Sequence, residues 1–188
     1  MRVYGVCVGC IGPWYYALLT SRRAVLSGEA SAVLIADESA DPSRFGALVQ
    51  SVSAVSRRGK RIELSAYIAV ENAPDGASIW MRADDAAGNV VAFDNSMTRG
   101  IRGTATWTYQ NIVMDVPPGA AVLLYGAVLN GKGVLYVDNV QLTQAGNDVP
   151  ATARQYPRAP STVTAIDVTR LPPEPRNLDF EQTILPAP

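Results

Sequence analysis

A period of two recurs through residues 60–142, and it restricts this chain more than any other feature does. Over 61–70, Ile62, Leu64, Ala66, Ile68 and Val70 fall on one side and Arg61, Glu63, Ser65 and Tyr67 on the other. Over 133–142, Val134, Tyr136, Asp138, Val140 and Leu142 oppose Leu135, Val137, Asn139 and Gln141. Successive side chains of a strand point to opposite faces, so both runs read as strands with one apolar face. Further strands are expected at 30–36, 45–55, 78–83, 90–93, 107–116 and 121–129, and an irregular one near the start. Turn residues separate them at 27–29, 57–60, 72–76, 84–89 and 117–120, and 94–106 reads as a long loop. Short strands broken by turns roughly every 8–12 residues, with no sustained helical period, indicate an all-β antiparallel sandwich of two sheets.

Composition removes several function classes. The chain of 188 residues contains no histidine, which excludes Ser–His–Asp and Cys–His nucleophile systems and any zinc site that needs imidazole. A net charge of −1, with Lys60 and Lys132 the only lysines, gives no electrostatic footprint for nucleic acid. Cys7 and Cys10 form a C-x-x-C without the strand-to-helix setting of a redox motif, and read as small buried residues. The apolar run 3–19 is interrupted by Gly5, Gly9, Gly12 and Pro13, too short and broken for a membrane span and a poor leader. The expectation is a cytoplasmic protein with no membrane partner; an exported chain that has lost its leader is the alternative.

A strand led by Trp107, the turn Val116-Pro117-Pro118-Gly119-Ala120, a strand at 121–129 and the closing run Val137-Asp138-Asn139-Val140-Gln141-Leu142 together form a recognisable set. They resemble the closing half of the galactose-binding-like jelly roll found in carbohydrate-binding modules, and Ser27-Gly28-Glu29 with the run after it resembles a hairpin of the same fold. The likeness covers roughly 24–144. It implies a jelly-roll domain at 1–144, followed by a Pro-rich crossing segment at 145–176. At 177–188 it implies a strand, led by Asn177, Phe180 and Glu181, that lies back on the sandwich or opens a truncated second module. It also implies a structural calcium held by Asp138 and Glu181, since such modules use these two motif carboxylates with backbone carbonyls. Without the metal, Asp138 would hydrogen-bond loop amides.

The expected binding surface is a sheet face showing Tyr67, Trp80 and Arg82, with Asp94 and Asn95 at its edge and Gln50, Gln110 and Tyr125 joining from neighbouring strands. Aromatic faces stack on the apolar side of a sugar, and amide, carboxylate and guanidinium groups fix its orientation. The resemblance implies a non-catalytic module for a carbohydrate or similar small molecule. A second reading is a cofactor-free cyclase or isomerase, with Asp94 or Asp138 as the acid in a pocket between the sheets and Tyr67 and Trp80 shaping a cationic intermediate. A third is a structural sandwich pairing with a partner; a homodimer is compatible with all three. A flat exposed platform would favour binding, and an enclosed apolar cavity catalysis.

Overall fold

The computed structural model describes residues 4–6, 16–159 and 171–182, with side chains described for 16–153 and 171–182. Cys7, Cys10 and Trp14 lie outside the described residues. The strands in chain order are β1 (Tyr4–Val6), β2 (Tyr16–Ser21), β3 (Ser31–Ala36), β4 (Phe45–Ser53), β5 (Arg61–Asp85), β6 (Val90–Asp94), β7 (Ile101–Asp115), β8 (Ala120–Asn130), β9 (Val134–Gln144) and β10 (Arg154–Ala159). All their pairings are antiparallel.

β5 organises this set because it belongs to both sheets. Its first half pairs with β9 and β7, giving a back sheet ordered β2–β3–β9–β5–β7. Its second half pairs with β8 and β6, giving a front sheet ordered β1–β4–β8–β5–β6–β10. The turn predicted at 72–76 is therefore a bend inside one continuous strand. Asn72 (φ 51°) and Gly76 (φ 87°) take the left-handed conformation that an ordinary strand lacks, and the register shifts across them. The bend also exchanges the inward parity. Ile62, Leu64, Ala66, Ile68 and Val70 face the core before it; Ala77, Ile79, Met81 and Ala83 face the core after it.

A second irregularity corrects the alternation expected in β9. Asn139 (φ 48°) sits at a bulge where the register to β5 shifts between Ser65 and Tyr67. Leu135 and Val137 face the core on one side of it, and Val140 and Leu142 on the other. Asp138 and Tyr136 consequently look outward instead of sharing a face with Val140. Asparagine tolerates this backbone because its short polar side chain bonds locally.

Other expected boundaries shift. The loop foreseen at 94–106 is short, since β7 begins at Ile101; its exposed alternate residues Arg102, Thr104 and Thr106 hid the strand from an apolar pattern. The segment after 144 is not only a crossing, because β10 pairs with β6 and widens the front sheet. Residues 177–182 form turns, not the strand foreseen there. Phe180 nonetheless enters the core at 1% exposure, and Val140 N–H donates to Leu178 O at 3.1 Å.

Candidate functional site

Trp80 and Arg82 project from the outer face of the front sheet, where β4, β8, β5 and β6 lie side by side. Register places Trp80 opposite Gly126, and Gly126 opposite Val49 on β4. Glycine stands between Val49 and Trp80 in the register, and a Cβ there would lie 1.9 Å from Leu48 O, so β4 and β8 pack closely beneath this face. The face carries a groove of about 420 Å³, within the range of roughly 300–1,000 Å³ usual for small-molecule sites. Val49, Leu124 and Val128 make its floor, and Phe45, Phe93 and Met97 its rim. Trp80, Arg82, Asn95 and Asn130 supply the polar atoms. Leu171 packs beside Trp80 and Val49 on the cluster of Ala121, Val122 and Leu124.

The polar chemistry runs along β5. Ser78, Trp80, Arg82 and Asp84 share one strand face by their spacing of two. Arg82 Nη2 donates to Asp84 Oδ2 at 2.8 Å, and the Asp84 side chain is 2% exposed. Burial pushes the Asp84 carboxyl above the usual carboxylate range, with the Arg82 guanidinium pulling the other way. Among the described residues, the buried side-chain polar atoms without a hydrogen-bond partner are Ser78 Oγ, Trp80 Nε1, Arg82 Nε and Asp84 Oδ1. All four lie in this row. Orphaned buried polar atoms are rare in folded proteins, and here they are confined to the strand that carries Trp80 and Arg82 into the groove.

The structure brings together Trp80, Arg82 and Asn95 from the expected surface and separates the rest. Tyr67 is on the outer face of the back sheet, its ring 5.5 Å from that of Tyr109 in an edge contact. Tyr125 and Gln50 face inward, the phenol donating to Gln50 Oε1 at 2.9 Å, and burial pushes the Tyr125 hydroxyl far above its ordinary range. Gln110 is also buried; its amide donates to Arg99 O at 3.0 Å. Asp94 points away from the groove, accepting from Thr152 Oγ1 at 2.7 Å and Arg99 Nη2 at 3.3 Å. Glu63 accepts from Asn111 Nδ2 and Tyr109 Oη rather than pairing with Arg82.

Asp138 and Glu181 converge on one loop but in a manner that does not fit calcium. Asp138 Oδ2 accepts from the amides of Leu26 (2.9 Å) and Ser27 (3.0 Å), and Oδ1 from Asn139 N–H. Glu181 Oε1 accepts from Glu29 (2.8 Å) and Ala30 (3.3 Å). Calcium collects six to eight oxygens, whereas three of these four carboxylate oxygens, both of Asp138 and Oε1 of Glu181, accept from backbone amides. No group of three or more metal-ligating side chains occurs among the described residues. Gly28 (φ 70°) is required here, since a Cβ would lie 2.0 Å from Glu181 Oε1.

The two candidate acids thus sit in different sheets, each tied into its own loop. Between the sheets, the void lined by residues including Leu48, Gln50, Tyr125 and Phe180 measures about 10 Å³, room for a water and not for a folded substrate. The groove residues that the sequence did not single out include Asn130 and Met97 as well as Val49, Phe93, Leu124 and Val128. Phe93 was within reach, because it lies two residues before Asn95 and so shares its face.

No family model matches the chain. Over 172 residues it is 34% identical to an uncharacterized HTH-type transcriptional regulator, YbfP, of Bacillus subtilis (strain 168), covering 92% of this chain and 55% of that protein. The chain thus spans about half the length of this curated relative. Among solved structures it is similar to the CBM22-1 xylan-binding domain of Paenibacillus barcinonensis Xyn10C, with a TM-score of 0.51, 14% identity and coverage of 74% of this chain and 85% of that one. The C-terminal family 22 carbohydrate-binding module of Clostridium thermocellum Xyn10B aligns with a TM-score of 0.50 at 16% identity, over 78% and 95% of the two chains. An arabinose-bound α-L-arabinofuranosidase aligns with a TM-score of 0.52 at 15% identity, over 69% of this chain and 22% of that one. With the strand order above, these likenesses show that the chain has the all-β, galactose-binding-like jelly-roll fold of carbohydrate-binding modules.

Proposed function

We infer that this domain is a non-catalytic binding module that captures a small carbohydrate-type ligand in the front-sheet groove. The observation that carries the reading is the open groove of about 420 Å³, which sets the ring of Trp80 and the polar groups of Arg82, Asn95 and Asn130 around an otherwise apolar lining. The xylan-binding and carbohydrate-binding modules named above support the class of ligand through a shared fold. The bacterial relative adds a role for the event: as part of an HTH-type regulator, a ligand-binding jelly roll would serve as the sensing half, reporting occupancy to a DNA-binding half.

Thermal melting across a panel of mono- and oligosaccharides tests the reading, because a ligand that binds only the folded state raises Tm by mass action. The expected result is a rise with at least one sugar that Trp80→Ala removes. A panel that leaves Tm unmoved, or moves it equally in Trp80→Ala, defeats the assignment.

A further inference from the structure

The groove is divided lengthwise by chemistry. Its β4 and β8 side is apolar along Phe45, Ala47, Val49, Leu124 and Val128, and the one amide there, Asn130, stands at the far end of β8. Its β5 side carries Trp80 and Arg82, and Asn95 lies just beyond on the β6 side. A sugar lying flat across the trough would bury hydroxyls against the aliphatic floor, stripping their water without replacement. An apolar group placed there loses nothing and removes its own surface from water.

Charge narrows the ligand further. Among the described residues, Arg82 is the one charged residue that lines the groove, and Asp84 already neutralises it at 2.8 Å. An anionic ligand would compete with a buried carboxylate for that guanidinium. A cationic ligand would compete with the guanidinium for Asp84. Either arrangement buries a charge without its own counter-ion. A neutral ligand meets the pair intact.

We propose that the groove takes an uncharged glycoside bearing an apolar aglycone, with the sugar edge along β5 and the aglycone over Val49, Leu124 and Val128. The proposal rests on the reading of the groove as a ligand site and names the class of molecule that fits it.

Isothermal titration of the full chain with matched probes tests it. The probes are methyl, hexyl and 4-nitrophenyl glycosides of xylose, arabinose, glucose and galactose, with xylotriose and 4-nitrophenyl glucuronide as comparators. For at least one sugar, the hexyl or 4-nitrophenyl glycoside binds at least about tenfold tighter than the methyl glycoside. The glucuronide binds at least about tenfold more weakly than the matching glucoside. Val49→Thr, which keeps the shape of the floor, cuts the aglycone advantage, the ratio of hexyl- to methyl-glycoside affinity. Methyl glycosides or xylotriose binding as tightly as the aglycone-bearing probes would overturn the proposal while leaving the binding-module reading intact. Silence from every probe would remove both. Equal binding of the hexyl probe to Trp80→Ala would mark adsorption elsewhere and overturn the proposal as well.

Discussion

The two outer faces of this sandwich start alike and are finished differently. Each is the solvent side of a sheet that gives its other side to a common core, and each carries large side chains. On the back sheet the chain covers its own surface. The loop at 22–30 lies over Val33, Ala69 and Tyr136, with Ala24 packed on them. Its amides go to Asp138 and Glu181, and Ser31 Oγ donates to Ala24 O at 2.6 Å. On the front sheet the trough stays open, and four polar atoms on one strand have no partner. A face that is sealed by carboxylate-to-amide bonds contributes stability. A face left unsatisfied holds capacity for a ligand.

The contrast breaks most forcefully at Phe180. Its ring is fully buried and anchors the segment that brings Glu181 to the loop, so Phe180→Ala should cost about 3–5 kcal/mol, a fall in Tm of roughly 10 °C or more. A smaller loss would mean the tail is not part of the folding unit. Asp138→Ala comes next, because it orphans the amides of Leu26 and Ser27; about 2–4 kcal/mol should be lost in urea unfolding while the affinity of any groove ligand stays unchanged. On the open face the effect reverses. Trp80→Ala should abolish ligand-induced stabilisation and change the unliganded protein by no more than about 1 kcal/mol.

Two carboxylates sharpen the comparison through pH. A hydrogen bond from Arg61 holds Asp115 below the usual carboxylate range, so its contribution is present above the unfolded carboxylate pKa and is lost as pH falls through the folded one. Burial raises Asp84, so its contribution is full below the unfolded pKa and is lost as pH rises through the folded value. Melts from pH 3 to 7 should therefore show Asp115→Asn flattening the acid loss and Asp84→Asn steepening it. The smallest expected effect is none: a calcium chelator should leave Tm in place, because three backbone amides already engage Asp138. A chelator-dependent fall would restore the metal.

Sequence reasoning went as far as parity carried it. Trp80 and Arg82 stand two apart in a regular stretch, so their common face could be read directly, and the strands around them followed from apolar alternation. Tyr67 was misplaced because thirteen residues and a bend separate it from Trp80, and a parity exchange inside a strand leaves no apolar signature. The bulge at Asn139 escaped notice because apolar residues occur on both sides of that run, which accommodates either phase. Tyr125 was misread for a related reason: 121–125 is apolar throughout, and an unbroken apolar run does not say which side chains face inward. The unanswered polar atoms were beyond reach, since satisfaction depends on what the rest of the chain brings near.

The sharing of β5 between both sheets has a kinetic consequence. Its partners β6, β7, β8 and β9 all follow it in the chain, and β7, β8 and β9 lie well downstream, so most of its ladders wait for distant chain to arrive. Topologies dominated by such distant pairings fold slowly, because closure entropy is spent before contacts repay it. Neither sheet can be completed without this strand, so the halves are expected to unfold in one step rather than in sequence. The amides of Leu64, Ile68, Ile79 and Met81 should then exchange with solvent at a common, slowest rate, set by global opening.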